Sequence, residues 1–199
     1  MQGSTRRETR CNGGAISRRT AGTLLLGLAA PRPGCAAPVR YSFDQTGGRI
    51  GFTARHLGLF STDGQFERFR AELNLDPAAP AGARVGATIE TGHFSLPWPG
   101  AGDMLRGPDY FDVARHPTAS FTGQGGELAA DGSLAIAGRV RLRGIERPMT
   151  LVARVAGRRG GSTAFTAAGQ IRRSDFGMTP DGTLISDLIT LTIDVRVAG

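Results

Sequence analysis

The sequence predicts an all-β fold, an antiparallel β-barrel of about eight strands with one short helix near the barrel mouth. Apolar side chains recur at every second residue from residue 41 onward, the spacing of strands that have one buried and one solvated face. The 199-residue chain contains 30 glycines, about twice the usual share, as expected where many turns connect short strands. Turn sequences separate the alternating runs, which favours strands that pair with their neighbours in the chain.

The alternation and the turn sequences together give the order of the predicted strands. The clearest alternating runs are 50–56, 69–75, 85–89, 133–142 and 189–197, and weaker runs lie at 119–123, 149–155 and 163–171. The predicted turns are 46–48, 63–64, 77–82, 131–132 and 181–182, and the glycine-rich stretch 123–126 is interpreted as a hairpin. Connections this short leave no room for crossover helices.

A single apolar face on about eight strands can be buried in a two-sheet sandwich or in a closed barrel. Several positions on the inward side of the alternation are small and would leave space inside a barrel: Ala54, Ala71, Ala87, Gly138, Ala153 and Ala167. A barrel of about eight strands is wide enough for one small ligand when such positions are not filled. We therefore predict a barrel with a cavity.

One segment, residues 102–113, has no alternation and predicts the short helix. Asp103 is a suitable N-cap, and Gly107-Pro108 is typical of a helix end. The apolar pairs Met104-Leu105 and Tyr110-Phe111 give this segment an apolar patch. We expect the helix to cover one end of the barrel.

The first 37 residues have the pattern of an export signal that is removed from the mature protein. Arg18-Arg19 precede an apolar run at 21–30, which is too short to span a bilayer, and Gly34 and Ala36 favour cleavage after Ala36. The stretch 17–20 resembles a twin-arginine motif that lacks its aromatic residue, so that route and general export both remain open. The mature domain, residues 38–199, is then periplasmic or secreted.

Both cysteines, Cys11 and Cys35, lie in this leader, so the mature domain is expected to have no disulfide and no thiolate site. Lipidation at Cys35 is an alternative, disfavoured by Arg32 and Pro33 just before it. The net charge is +7, yet 18 of the 24 basic and 16 of the 17 acidic residues follow residue 36, which leaves that part at +2. A surface this close to neutral predicts no nucleic-acid partner.

The sequence contains little that indicates catalysis or a metal. The three histidines, His56, His93 and His116, have no ligand spacing, so no metal and no cofactor are predicted. His56 falls on the inward side at a strand end. Three interpretations are open: a barrel-rim residue whose hydrogen bonds are satisfied within the protein, a contact for a ligand headgroup, or a metal ligand. Asp109 and Asp112 are interpreted as caps of the helix and turn rather than an acid–base pair. No nucleophile elbow or phosphate-binding loop is present, so we predict that the protein is not an enzyme.

The arginines that stand out in the sequence are interpreted as surface residues rather than as ligand contacts. Arg139, Arg141 and Arg143 alternate along one strand, as expected for a solvated outer face. The stretch 172–175 is interpreted as an exposed loop with an Arg–Asp pair, with a grip on a charged headgroup as the alternative.

Four segments, in order, resemble the YceI-like family of polyisoprenoid-binding proteins, whose members have a lipocalin-type barrel. They are Ile50–Gly58 continuing through Asp63–Phe69, Asp103–Val113 continuing through His116–Phe121, Gly138–Met149, and Arg173–Met178 before the final strand. The resemblance extends over residues 41–197. The stretch Gly92–Gly100 departs from the family's usual Ser-x-x-Thr-Gly loop, at the expected cavity mouth.

The resemblance implies a YceI-like lipid-binding barrel over residues 38–199 that sequesters or carries a polyisoprenoid, an isoprenoid quinone or a similar long apolar ligand. It implies a ligand-binding set drawn from the inward-facing aromatic, Met and small residues: Phe52, His56, Phe60, Phe69, Ala71, Ala87, Met104, Leu105, Phe111, Phe121, Phe165 and Met178. The expected partner is a long-chain isoprenoid or other apolar lipid, with no membrane span but transient contact with a membrane surface. The alternatives are a lipid-directed barrel enzyme with His56 as base, and a protein-interaction module whose barrel is filled.

Overall fold

The structure, a computed structural model, describes residues 39–76 and 79–198, and the predictions for residues 1–37 lie outside that part of the chain. It contains one curled antiparallel sheet of eleven strands. The strands are β1 (Val39–Asp44), β2 (Gly48–His56), β3 (Phe60–Phe66), β4 (Phe69–Leu75), β5 (Arg84–Glu90), β6 (Phe94–Ser95), β7 (Thr118–Leu128), β8 (Leu134–Leu142), β9 (Ile145–Arg159), β10 (Ser162–Arg172) and β11 (Ile185–Ala198). One α-helix, α1 (Ala101–Arg106), and two short 3₁₀ helices (Pro80–Gly82 and Arg173–Phe176) complete the described elements.

The barrel closes through one long strand that bends at residues 67–68. Its first half is β3, which pairs with β2, and its second half is β4, which pairs with β5. From β5 the pairing continues through β7, β8, β9, β10 and β11 and returns to β2. Counting β3 and β4 as one bent strand, eight strands form this circuit, while β1 and β6 are short additions. The predicted all-β antiparallel barrel is confirmed.

Side-chain alternation determines what each strand buries. On β8, Leu134, Ile136 and Val140 are buried, while Arg139 and Arg141 between and beyond them are exposed. The same pattern on neighbouring strands brings the apolar faces together inside the barrel, where they form one connected core. The predicted period-two runs therefore correspond to strands that enclose a common interior.

The end of the barrel away from α1 is packed with side chains. The ring of Phe121 on β7 lies over Gly123 and Gly138, and a methyl group at Gly138 would lie 2.6 Å from its Cζ atom. Gly138 therefore makes room for an aromatic ring of the protein itself. The interpretation that Gly138 leaves space for a ligand is wrong for this reason.

Two predicted turns lie inside strands. Asp63-Gly64 is in the middle of β3. Glycine is needed there because a methyl group at position 64 would lie 2.2 Å from the ring of Phe52. The stretch 123–126 is part of β7 rather than a hairpin. The turn between β2 and β3 is instead Leu57–Leu59, an apolar sequence without the usual turn residues. The turns at 46–47, 131–132 and 181–182 are confirmed, and Pro77 lies outside the described residues.

The predicted short helix is confirmed as α1, which ends just before Gly107-Pro108. Its N-cap is Gly100, with a φ of 83°, and not Asp103 as expected. The Asp103 carboxylate instead accepts a hydrogen bond from Arg106 Nη1 at 3.2 Å, one turn along the helix. None of the helices in the described ranges is both long and apolar enough to span a membrane.

Candidate ligand cavity

The barrel contains a cavity of about 710 Å³ at the end where α1 lies. Its wall includes the last residues of β2 and β8 (His56 and Leu142), the last but one of β10 (Ile171) and the first residues of β3 and β11 (Phe60 and Ile185). These strand ends meet because neighbouring strands are antiparallel, so one strand ends where the next begins. The volume falls within the range of small-molecule sites, about 300–1,000 Å³.

The wall of this cavity is almost entirely apolar. Aliphatic side chains from five strands contribute most of it: Ile89, Ala119, Val140, Leu142, Ile171, Ile185, Ile189 and Leu191. On the opposite side lies a cluster of aromatic rings, in which the ring centroids of Phe52 and Phe66 are 5.1 Å apart and those of Phe66 and Phe111 are 6.0 Å apart. Rings packed at these distances and tilted to one another give the wall a rigid base. A cavity of this kind stabilises an apolar ligand by excluding water from it.

A small polar network lies in the wall near the cavity opening. Thr62 Oγ1 is 2.9 Å from His56 Nε2 and accepts a hydrogen bond from Trp98 Nε1 at 3.2 Å. The Thr62 hydroxyl has two acceptor lone pairs and one proton, so it can accept from Trp98 and either donate to His56 Nε2 or accept from it, depending on the histidine tautomer. His56 Nδ1 has no partner within the described residues. His56 thus offers one nitrogen, a donor in one tautomer and an acceptor in the other, to a ligand atom at the opening.

Arg173 is also in the cavity wall, although only 4% of it is exposed. Its guanidinium donates to the carbonyl oxygens of Met178 (2.8 Å), Pro180 (2.6 Å), Ile185 (3.1 Å) and Ser186 (3.3 Å). The interpretation of residues 172–175 as an exposed loop is therefore wrong for Arg173, which is buried because it holds the segment 178–186 in place. Arg172 is exposed as expected, but it is the last residue of β10 rather than part of a loop, and its Nη1 is 3.5 Å from Oδ2 of Asp187, which lies outside that stretch.

Tyr110 and Arg143 join the loops that lie beside the cavity at the α1 end of the barrel. The Tyr110 hydroxyl donates to Asp181 Oδ2 at 2.6 Å, and burial together with this bond raises the pKa of Tyr110 to about 12. Arg143 Nη1 donates to the carbonyl oxygens of Tyr110 at 2.8 Å and Gly177 at 3.2 Å. Arg143 is thus in the turn after β8, with a φ of 51°, and not on the outer face predicted for it.

The side chains of His93 and Asp112 have local partners. His93 Nδ1 is 3.1 Å from Glu90 Oε2, and the buried Asp112 forms an ion pair with Arg115 Nε at 2.8 Å. Across residues 39–76 and 79–198, no group of three or more His, Cys, Asp or Glu side chains is placed to hold a metal ion. His56 has Thr62 as its neighbour and no carboxylate that would orient its ring, so the described residues give it no catalytic partner set.

The structure brings seven of the twelve predicted ligand-binding residues to the cavity. They are Phe52, His56, Phe60, Met104, Leu105, Phe111 and Met178. Phe69, Ala71 and Phe121 are buried in the packed part of the barrel, Ala87 pairs with Ala71 and Phe121 there, and Phe165 is half-buried near the far end of β10. Ligand contact by these five is not proposed further, because none of them lines the cavity, although Phe69 and Phe121 pair with the wall residues Ile89 and Val140.

Several wall residues were not predicted as site residues. Trp98 and Leu96 lie in the stretch 92–100, whose departure from the family pattern was the available signal. Thr62 was missed because the predicted turn at 63–64 removed it from a strand. Two signals distinguished the buried Arg173 from the exposed Arg172: Arg173 begins the family-like segment 173–178, and it follows Ile171 by two residues, on the inward side of the alternation.

Comparison with known proteins agrees with this architecture. A family model for the YceI-like domain matches residues 41–197. A UPF0312 protein of Enterobacter sp. (strain 638) is 32% identical over 181 residues, covering 87% of this chain and 93% of that protein. Protein YceI of Salmonella arizonae is 31% identical over 170 residues, covering 82% and 88%.

Two solved structures are similar in fold. The crystal structure of Burkholderia cenocepacia BcnA has a TM-score of 0.71 at 22% identity, covering 77% of this chain and 98% of that one. A polyisoprenoid binding domain from Saccharophagus degradans has a TM-score of 0.56 at 13% identity, covering 80% and 98%. At these identities the likeness concerns the fold alone.

Proposed function

The chain belongs to the YceI-like domain family, and from that premise we propose that it is a periplasmic or secreted lipid-binding protein. It sequesters or carries a polyisoprenoid, an isoprenoid quinone or a similar long apolar molecule inside the barrel. The observation that carries this proposal is the cavity of about 710 Å³ with an almost entirely apolar wall. The Saccharophagus degradans domain, described as polyisoprenoid binding, supports this class of ligand.

An apolar chain alone supplies enough free energy for useful binding. Burying about 20 methylene groups gives about 16 kcal/mol, at about 0.8 kcal/mol each. The loss of translational and rotational freedom on association costs on the order of 4–15 kcal/mol. A carrier of this kind therefore needs few polar contacts, which agrees with the small polar network of His56, Thr62 and Trp98 in the described cavity wall.

The polar groups favour a headgroup without charge. Arg173 already uses four of its five N–H groups on backbone carbonyls, so it has little capacity to bind a diphosphate. The unpartnered nitrogen near the opening is His56 Nδ1, which can donate to a quinone carbonyl in one tautomer or accept from an alcohol in the other. We expect a quinone or alcohol headgroup to bind more tightly than a diphosphate on the same chain.

Native mass spectrometry of the protein purified from its own host tests the proposed function. A lipid-binding protein is expected to appear with a bound isoprenoid or other long apolar molecule that dissociates at higher collision energy. A protein that is consistently ligand-free, and that does not bind added farnesol, would exclude it.

Replacing His56 with Ala separates a carrier from a lipid-directed enzyme. In a carrier the variant keeps most of its affinity, because the apolar wall provides most of the free energy of binding. In an enzyme with His56 as base, turnover of the bound lipid falls by about a hundredfold or more. Product formation by the wild-type protein that His56→Ala abolishes would contradict the carrier proposal.

Export is tested by sequencing the amino terminus of the mature protein. We expect it to begin near Ala37, without either cysteine. A retained and acylated Cys35 would replace the soluble carrier with a lipid-anchored one.

A further inference from the structure

Large apolar side chains surround the cavity opening and face solvent. We call Leu57, Leu59, Phe60, Trp98 and Met104 the mouth rim. The exposed fractions are 83% for Leu59, 68% for Phe60 and 62% for Trp98. Apolar residues of this size seldom lie exposed together unless the surface they form contacts another apolar phase.

The mouth rim is continuous with the cavity. Phe60, Trp98 and Met104 line the cavity and are also largely exposed, so the cavity reaches solvent between them. The hydrogen bond from Trp98 Nε1 to Thr62 Oγ1 holds the segment before α1 against β3. The interior surface and the rim therefore form one apolar surface that begins inside the barrel and ends outside it.

The backbone at Leu57 is a second, independent observation. Leu57 and Gly58 have φ values of 50° and 70°, so both are in the left-handed region at the turn between β2 and β3. Asn, Asp or Gly adopts this conformation more easily than Leu does. The Leu57 side chain is 62% exposed, so contacts within the described residues do little to offset its unfavourable backbone. Its apolar side chain is thus best explained by a contact outside the protein.

The mouth rim carries no net charge that would select a charged partner. The segments 57–62 and 94–102 contain no Asp, Glu, Lys or Arg. The nearest charges on α1, Asp103 and Arg106, are paired with each other at 3.2 Å. Leucine, phenylalanine and tryptophan without charge are typical of surfaces that enter the boundary between lipid headgroups and acyl chains.

We propose that the mouth rim docks on the surface of a lipid bilayer. In this position the cavity opens towards the acyl chains, and an apolar ligand passes between bilayer and barrel without crossing water. The inference rests on the proposed function, because a ligand that resides in membranes explains why the rim surrounds the cavity opening.

The single tryptophan of the chain lies on the mouth rim and makes the test direct. The protein in its exported form, purified from its host, is mixed with phosphatidylcholine vesicles, with and without phosphatidylglycerol, at low and high NaCl concentration. We expect the protein to float with the vesicles in a density gradient, and brominated acyl chains to quench Trp98. Flotation distinguishes docking from extraction of a lipid into the cavity, which also changes Trp98 fluorescence. Because contact is apolar, neither phosphatidylglycerol nor salt should change binding more than about twofold.

The decisive variant is Leu57→Asn with Leu59→Ser. Neither residue lines the cavity, and Asn suits the positive φ at position 57, so folding and ligand binding are retained. Vesicle affinity is expected to fall about tenfold or more. The matched control is Leu128→Ser, since Leu128 is an exposed leucine at the end of β7 far from the mouth. Its vesicle affinity should equal that of the wild-type protein, and all variants are purified in the same exported form.

Binding of farnesol in vesicle-free solution separates the two proposals. Farnesol binding without flotation overturns the docking inference and leaves the proposed function intact. Equal flotation of the double variant and the wild type, or an equal loss in Leu128→Ser, also overturns docking. Flotation that requires phosphatidylglycerol and disappears in high salt overturns it as well, because arginines would then be responsible. If the wild-type protein neither binds farnesol nor floats with the vesicles, both proposals are rejected.

Discussion

At the scale of single residues, Arg173 shows how a buried cation is held by backbone oxygens. Its four hydrogen bonds fix the segment 178–186 beside the cavity. Arg173→Met would leave these carbonyls without their donor, so we expect the free energy of unfolding to fall by about 3 kcal/mol or more. Arg172→Met removes only an exposed ion pair and should cost less than about 1 kcal/mol. Urea denaturation of both variants measures this, and equal losses would contradict the role of Arg173.

Tyr110 gives a prediction about pH. Burial and the hydrogen bond to Asp181 raise its pKa to about 12, above the value of about 10 for an unfolded chain. The stability that this protonated hydroxyl provides is complete below pH of about 10 and is lost as pH rises through about 12. Tyr110→Phe should cost about 1.5–3 kcal/mol at pH 7, because Asp181 loses its donor. Urea denaturation from pH 7 to 12 should show the two proteins converging at high pH, and curves that stay parallel would refute this.

At the scale of strands, glycines inside the sheet act through close approach. A methyl group at Gly138 on β8 would lie 2.3 Å from the carbonyl oxygen of Thr122, a backbone atom that cannot move away easily. We expect Gly138→Ala to cost about 1–3 kcal/mol. Gly86 on β5 has nothing within 4 Å of the corresponding position, so Gly86→Ala should stabilise the protein by about 0.4–1 kcal/mol. Thermal denaturation compares the two, and opposite signs of the change are the expected result.

The strands and turns also differ in how well the sequence predicted them. Alternation is a local property, so it indicated eight of the eleven strands and, through its absence, helix α1, whereas β1, β3 and β6 lie in none of the predicted runs. Gly64 was mistaken for a turn residue because its neighbour Phe52, which lies across the β2–β3 pair, is not visible from spacing along the chain. The true turn at Leu57–Leu59 was missed because two leucines there contradict ordinary turn chemistry. If the mouth rim docks on lipid, these two leucines are present because they contact the membrane.

At the scale of the whole molecule, the barrel interior is divided between a packed end and an open end. Alternation predicted which side chains point inward but not how far along the barrel each one lies. For that reason Phe52, Phe69 and Phe121 were all predicted to line the cavity, although only Phe52 does so. Depth depends on the stagger of neighbouring strands, which is set by pairing across the sheet.

Two alanines on the inward side of the strands, Ala54 and Ala71, test this division between a packed end and an open end. Ala54 lines the cavity, whereas Ala71, which was predicted to bind ligand, is buried opposite Ala87 in the packed end. Ala54→Phe should leave the melting temperature of the ligand-free protein nearly unchanged, because the ring occupies open space. Its farnesol affinity should fall about tenfold or more, about 1.4 kcal/mol, since the ring takes the volume of the ligand.

Ala71→Phe should behave in the opposite way. A ring has no free volume at the packed end, so the free energy of unfolding should fall by about 1–3 kcal/mol or more while the folded fraction binds farnesol normally. Melting curves and farnesol titrations of both variants give four measurements with a crossed pattern. If Ala54→Phe destabilises the protein as much as Ala71→Phe and leaves binding unchanged, the barrel is filled at both ends. The interior would then serve stability alone, and the mouth rim would have no cavity to connect to a membrane.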